Sequence, residues 1–303
     1  NIFTGVHGIG PKKAEELVNK HNIQTIDELK THPELLNDTQ KKGLQYYEHI
    51  IKRIPRKEID AYKQVFDNIL NKLDVNEFTY EIVGSYRRGA KDSGDIDVIL
   101  SGKNSEIFEK LIEQLSNQKI LLEILSKGQT KCLGIAKLPK YRTARRVDFL
   151  FATEVEYPFS ILYFTGSQTF NTAMRGYALK MGMSLNEHGL YKKISGIKEE
   201  KLDLNIKEEK DIFKALHLEY KTPIERIDGN SVVSTIPTIK SQEEPEDADC
   251  YSSCDVVPAG KCATDCEPSW TDDKHKKSRN WCSCNVDKQS CGIHICKDKI
   301  APV

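Results

Sequence analysis

The chain has 303 residues, 30% of them charged, and a mean hydropathy of −0.53, enough for two or three domains and without any apolar run near the ~20 residues of a membrane span. Lys/Arg and Asp/Glu balance at 45 each; residues 231–303 hold 9 basic against 12 acidic, leaving 36 against 33 before them. That balance excludes nucleic-acid binding by bulk charge, so any DNA contact must come from placed groups. Nothing at the start resembles a signal peptide. The chain opens at Asn1 and runs straight into a motif, which reads as part of something longer.

Residues 1–54 read as short helices. Gly8-Ile9-Gly10-Pro11 leads into a helix over 12–19, with Pro11 suited to the first helical position and Ala14, Leu17 and Val18 on one face. Thr25-Ile26-Asp27-Glu28 is a capping box opening the next helix, and Leu44, Tyr47 and Ile51 mark a third over 41–54. The turn from Val6 to Gly10 is either an ordinary interhelical turn or a helix-hairpin-helix, whose backbone N–H groups at Gly8 and Gly10 would face a DNA phosphate.

From Pro55, the spacing of Ile59, Tyr62, Phe66, Ile69 and Leu73 predicts one long amphipathic helix. Strand patterns follow at 78–83, 96–100, 120–125, 131–138 and 147–151, with a helix at 106–115 between the second and third, which makes a mixed α/β sheet. Inside this region Gly84-Ser85-Tyr86-Arg87-Arg88-Gly89 is followed closely by Gly94-Asp95-Ile96-Asp97. A period of two puts Asp95 and Asp97 on one strand face and Ile96, Val98 and Leu100 on the other. Paired carboxylates repel unless cations sit between them, and Mg²⁺ is held by a few carboxylates together with substrate phosphates. The glycine turn supplies N–H groups, the Ser85 hydroxyl and the Arg88 fork for a triphosphate. On the last strand Asp148 is the third candidate carboxylate and shares its face with Arg146.

Beyond Pro158, Tyr163-Phe164-Thr165-Gly166-Ser167 forms a turn with Ser167 capping a helix to about residue 180. Phe170, Ala173, Met174 and Tyr177 make its apolar stripe; Asn171 and Arg175 lie four apart on another face. A short helix follows near 208–216, and periodicity is lost over 228–249. The expected division is 1–54, a DNA-binding helical subdomain; 55–157, a catalytic sheet domain; 158–229, a nucleotide-selecting subdomain; 230–249, a linker; and 250–303, a Cys-rich tail. Eight of the nine cysteines fall between Cys250 and Cys296, spaced C-x3-C-x7-C-x3-C-x15-C-x-C-x6-C-x4-C. They could form disulfides, bind up to two Zn²⁺ or stand as free thiols in a disordered tail.

Taken together, these motifs resemble the catalytic portion of the family X DNA polymerases, of the polymerase beta and lambda kind, from about residue 3 to 220. Gly8–Pro11, Arg53-Ile54-Pro55-Arg56, Gly84–Gly89, Ser93–Asp97, Leu125–Gly128, Arg145–Asp148 and Tyr163–Ser167 stand in the family's order. The resemblance implies an α+β fold: a polymerase beta-type nucleotidyltransferase palm of mixed sheet and helices. A helix-hairpin-helix thumb and a small α/β nucleotide-selection subdomain would flank it. It implies that Asp95, Asp97 and Asp148 hold two Mg²⁺ (or Mn²⁺), and that Arg53, Ser85, Arg88, Ser93 and Gly94 face the triphosphate. Tyr163 and Phe164, with Gly166, would exclude a ribose 2′-OH. Asn171 would touch the incoming base or sugar, Arg175 the template and Arg146 the primer terminus. The carbonyls of Thr4, Val6 and Ile9 would hold a monovalent cation, Na⁺ or K⁺, that bridges to DNA.

The family's N-terminal lyase and BRCT-type regions have no counterpart in this sequence. Leu150 stands where polymerase beta has an arginine that changes partners on closure, Glu187 keeps that arginine's partner, and Gln168 replaces an acidic residue of some members. The short connection over 139–144 and the Gly166-Ser167 pair favour templated synthesis. The implied function is a template-directed DNA polymerase, taking dNTPs and primer-template or gapped DNA, acting in short-gap repair as a monomer without membrane contact. It would be intracellular: nuclear in a eukaryote, in a factory or virion if viral. The alternatives are a terminal-transferase-like, template-independent nucleotidyltransferase and a catalytically inactive DNA-binding scaffold.

Overall fold

The computed structural model describes residues 2–75, 77–194 and 198–236, with strand segments at 251–252, 281–285 and 290–295. The chain divides into two units, residues 1–236 and 237–303.

The first unit opens with a 3-10 turn over Ile2–Gly5, then α1 (Pro11–Asn19), α2 (Ile26–Lys30), α3 (Asp38–Gln45) and α4 (Tyr47–Ile50). Gly10 is the N-cap of α1 and Pro11 its first residue, where the missing N–H costs nothing. Thr25 and Glu28 form the expected capping box on α2, and Asn37 and Gln40 form a second one on α3. The single helix expected over 41–54 is therefore two: it starts earlier, at Asp38, because of that second box, and breaks at Tyr46. Phe3, Val6, Ile9, Ala14, Leu17 and Leu29 close a small core. Gly43 lets α3 press on the first turn, since a Cβ there would sit 2.3 Å from the His7 carbonyl oxygen.

The sheet domain follows: β1 (Ile54–Pro55), α5 (Arg56–Leu70), β2 (Phe78–Ile82), α6 (Gly84–Arg87), β3 (Asp92–Ser93), β4 (Ile96–Gly102), α7 (Glu106–Asn117), β5 (Leu121–Lys127), β6 (Lys131–Ala136) and β7 (Arg145–Thr153). Five strands form one sheet in the order β2-β4-β7-β6-β5, in which β4 and β7 are parallel and the other neighbours antiparallel. One sheet face buries Ile96, Val98, Leu100, Val147 and Phe149 against α5 and α7, whose stripes include Tyr62, Phe66, Phe108 and Leu111. Ile99, on the opposite face, is also fully buried, under Val83, Ala152 and Ile161.

Two polar junctions hold the first helices to this sheet. Lys42 of α3 pairs with Glu123 at 2.7 Å, and Arg145 donates to the carbonyls of Lys52 and Arg53 while pairing with Glu58 at 2.6 Å, all but out of water.

The third subdomain contains α8 (Tyr157–Thr165), α9 (Gln168–Lys180), β8 (Met183–Asn186), β9 (Gly189–Ile194), β10 (Lys198–Lys201) and α10 (Glu209–Ala215), with the strands in an antiparallel sheet ordered β10-β9-β8. Sequence periodicity did not reveal α8. Its run Phe159-Ser160-Ile161-Leu162 is buried all round between the sheet domain and the third core, so it shows no 3.6-residue alternation. The chain expected to become a linker at residue 230 instead stays hydrogen-bonded to the third subdomain through Thr235: Glu219 N–H donates to the Val233 carbonyl, Leu218 bridges Ser234, and Thr235 N–H donates to the His217 carbonyl.

In the second unit β11 (Tyr251–Ser252), β12 (Trp281–Asn285) and β13 (Ser290–Ile295) form an antiparallel sheet ordered β11-β13-β12. Cys282, Cys284 and Cys291 fall on β12 and β13, where the backbones of Cys284 and Cys291 are register partners; the other five tail cysteines, and with them the expected bridges or zinc sites, lie outside the described residues. No helix among the described residues is long and apolar enough to cross a membrane.

Candidate active site

The parallel pairing of β4 with β7 sets Asp97 directly opposite Asp148. Asp95 lies just before β4, and ligand oxygens of all three carboxylates fall within 4.8 Å of one another. Burial and the neighbouring Asp148 push the Asp97 carboxyl up to about 6, against the partial relief of Lys131 and Arg88. Asp148 is raised by burial too, with Arg146 and Lys131 opposing. One oxygen of Asp148 is buried without a hydrogen-bond partner. Such an orphaned acceptor beside two more carboxylates fits a divalent cation, which would supply the missing charge. Arg146 pairs with Asp95 and lies 3.9 Å from Asp148.

Gly84 is required by this cluster. It sits at φ +62°, and a Cβ there would lie 2.6 Å from an Asp97 carboxylate oxygen. The turn expected from its glycines is a single helical turn, α6, and the Ser85 hydroxyl donates to Ser93 Oγ at 2.8 Å. Ser93 is buried, so of the five groups expected at a triphosphate it stands behind the others. Arg53 is held by Asp92 at 2.6 Å, and Arg88 donates to the Thr165 carbonyl.

Arg53, Gly84, Ser85, Arg88, Gly94, Asp95 and Asp97 line one open cavity. Across it stand Tyr163, Phe164 and Gly166 from the end of α8, and Asn171 and Arg175 from α9. The Tyr163 and Phe164 rings meet edge to face, 5.0 Å apart. Asn171 Nδ2 donates to the Tyr163 carbonyl at 2.6 Å, and the Arg175 guanidinium lies over the Tyr163 ring. A second cavity, lined by Thr4, Val6, Gly8, Ile9 and Gly10 of the first subdomain, reaches Gly94 and Arg146. Gly8 is at φ +87°, and its carbonyl accepts from Gln40 at 2.9 Å.

Sequence reasoning passed over three groups. Lys131 on β6 bears on both Asp97 and Asp148; its register partner is Leu150, two residues beyond Asp148 on the same face, a signal the strand period carries. Asp92 grips Arg53. Glu209 of α10 takes both Arg87 of α6, bidentate at 2.7 and 3.0 Å, and the fully buried Arg226, at 2.6 Å. The Arg87–Glu209 link joins residues 122 positions apart and has no local signature.

Strand order, the carboxylate cluster and the facing helix define a nucleotidyltransferase palm flanked by two smaller subdomains. Three family models match in sequence: "Fingers domain of DNA polymerase lambda" over residues 1–51, "DNA polymerase beta palm" over 53–154 and "DNA polymerase beta thumb" over 160–227. Their names reverse the thumb label given above to the first subdomain. The chain is 31% identical over 266 residues to the DNA nucleotidylexotransferase of Xenopus laevis (74% of this chain, 51% of that protein). It is 31% identical over 244 residues to DNA polymerase lambda of Rattus norvegicus (74% and 41%). It is 26% identical over 263 residues to DNA-directed DNA/RNA polymerase mu of Homo sapiens (74% and 51%). The chain belongs to the family X DNA polymerases. It spans about half the length of the curated relatives it matches.

Proposed function

We propose that this chain adds deoxynucleotides to a primer 3′-OH under template direction, filling short gaps in DNA. One observation carries the reading: three carboxylates lie within 4.8 Å of one another, and two of them, Asp95 and Asp97, line a cavity that also presents Arg53, Ser85 and Arg88. Two Mg²⁺ held by Asp95, Asp97 and Asp148 would lower the cost of charge at the attacking and leaving oxygens. Around them, Asp148 would take up the 3′-OH proton, while Arg53 and Arg88 neutralise and orient the triphosphate. Arg146 exchanges its pairing with Asp95 for the primer terminus. The Tyr163 carbonyl, backed by Phe164 and Gly166, obstructs a 2′-OH, and Asn171 and Arg175 read the nascent pair from α9.

The cavity joining Gly8 and Gly10 to Gly94 and Arg146 is where the primer strand would run, with a monovalent cation on the carbonyls of Thr4, Val6 and Ile9. The domain roles follow: 1–54 grips DNA, 55–157 performs transfer, and the third subdomain selects the nucleotide. In a nucleated cell this work belongs to the nucleus.

A second reading, template-independent addition, is favoured by the 31% identity to a nucleotidylexotransferase. Primer extension with Mg²⁺ on gapped, templated and template-free DNA separates them. Templated incorporation with negligible addition to single strands is expected; equal rates on all three substrates would reject template direction.

A further inference from the structure

Helix α9 presents three faces. Phe170, Met174 and Ala178 are buried in the subdomain core. Gln168, Asn171, Thr172 and Arg175 line the open cavity. Thr169, Ala173 and Tyr177, spaced four apart, make the third face, and the chain itself returns to run along it. The match to the thumb family model ends at residue 227, and the covering segment is the residues that follow.

This strap is fastened at both ends of the helix and in its middle. Ser167, which caps α9 by accepting from Phe170 N–H, donates its hydroxyl to the Ile227 carbonyl at 2.9 Å. Gly229 lies so close that a Cβ on it would be 3.2 Å from the Ala173 Cβ. The Tyr177 hydroxyl meets Ser234 Oγ at 3.0 Å. The far end is anchored to the subdomain core: Val233 accepts from Glu219 N–H at 2.8 Å, and Thr235 donates both N–H and hydroxyl to the His217 carbonyl, at 2.8 and 3.0 Å.

We propose that residues 227–235 are a positioning strap for α9, so that nucleotide selection by Asn171 and Arg175 depends on a segment that, from residue 228 on, lies outside the matched family modules. The inference rests on the polymerase function proposed above. Its physical basis is leverage. The fastenings run from Ser167 to Tyr177, about 15 Å along the axis at 1.5 Å per residue. A helix held at both ends of one face cannot roll, and a roll would sweep the tips of Asn171 and Arg175 across the cavity. Small misplacements of positioning groups carry large rate penalties.

Ser234→Ala and Tyr177→Phe, singly and together in the full chain, test the strap; neither side chain lines the cavity. Each change should raise KM for the correct dNTP about three- to tenfold, the weight of one hydrogen bond, with kcat little altered. Discrimination against the wrong dNTP should fall, and the double variant should be no worse than Ser234→Ala alone, because that change already removes the Tyr177 contact together with the bond from Ile236 N–H. Amide hydrogen exchange over α9 should quicken while that of α7 stays as in the parent. Gly229→Val, which crowds Ala173 without deleting a hydrogen bond, should reproduce the KM and discrimination effects. Unchanged KM, discrimination and α9 exchange would overturn the strap. So would a loss of kcat that only follows a lowered melting temperature. If the parent chain incorporates no nucleotide, the proposed function falls, and α9 exchange in the same variants still decides the strap.

Discussion

At the scale of single residues the carboxylate cluster trades stability for chemistry. Asp95→Ala, Asp97→Ala and Asp148→Ala should each lower single-turnover incorporation by several orders of magnitude while DNA affinity survives; near-normal incorporation would remove that residue from the site. Asp97 offers a sharper test. Its carboxyl is raised from 3.8 to about 6 in the folded chain, first by burial and then by Asp148, so the folded state holds that proton more tightly than the unfolded one. The ionised group therefore costs stability at neutral pH; the cost shrinks as pH falls through about 6 and is gone below 3.8. Asp97→Asn should accordingly stabilise the divalent-free chain at pH 7.5 by ~1–3 kcal/mol, with the gain vanishing near pH 4, while incorporation is lost. Thermal melts of both proteins across pH 4–8 decide it; a gain that persists at the acid end would refute the assignment of the burden to this carboxylate.

At the scale of elements, two glycines of the first subdomain have opposite duties. A Cβ on Gly10 meets nothing within 4 Å, so Gly10→Val should leave the melting temperature nearly unchanged. It should nonetheless weaken binding to DNA of any sequence, since phosphate contacts position without specifying. A changed sequence preference at constant affinity would contradict this. Gly43→Ala should instead destabilise the fold, because its Cβ would strike the His7 carbonyl. The Glu58–Arg145 pair locks the junction between the helices and the sheet. Glu58→Gln should cost about 3–5 kcal/mol in a denaturant titration, by leaving a guanidinium buried without its counter-charge. The elements also divide by how legible they were. Capping boxes, the amphipathic α5 and the alternation in β4 are local and were read directly. The α8 helix, apolar all round, was not, because its pattern is set by what packs on both sides of it; the strands over 183–186, 189–194 and 198–201 were not read either.

At the scale of the whole molecule, Glu209 joins α6, the turn proposed to face the triphosphate, to the third subdomain through Arg87 and Arg226. Arg226 is fully buried among the Phe170, Phe213 and Tyr220 rings, so Glu209→Gln should lower the melting temperature and raise KM for dNTP together. A protein ending at Ile236 keeps every contact of the first unit and should extend a primer with kcat/KM within about one order of magnitude of the intact chain, a barrier change of ~1.4 kcal/mol at most. Ending it at Gly229, where sequence periodicity fades, would cut through the strap, and a larger rise in KM is expected there. Steady-state kinetics on the two truncations checks both expectations.

The sequence by itself determined the chemistry of this protein. Two carboxylates one residue apart, a glycine turn with paired arginines and a third carboxylate beside Arg146 follow from residue type and spacing, because metal and phosphate binding demand particular atoms at short range. Tertiary structure alone decided how those atoms are held. Parallel pairing sets Asp97 against Asp148, Gly84 is forced by the approach of an Asp97 oxygen, and Glu209 reaches Arg87 from 122 residues away. The chain beyond residue 227 turns back onto α9 rather than leaving the body. Contacts between distant segments depend on which surfaces meet once the core has closed, and local periodicity carries no record of that.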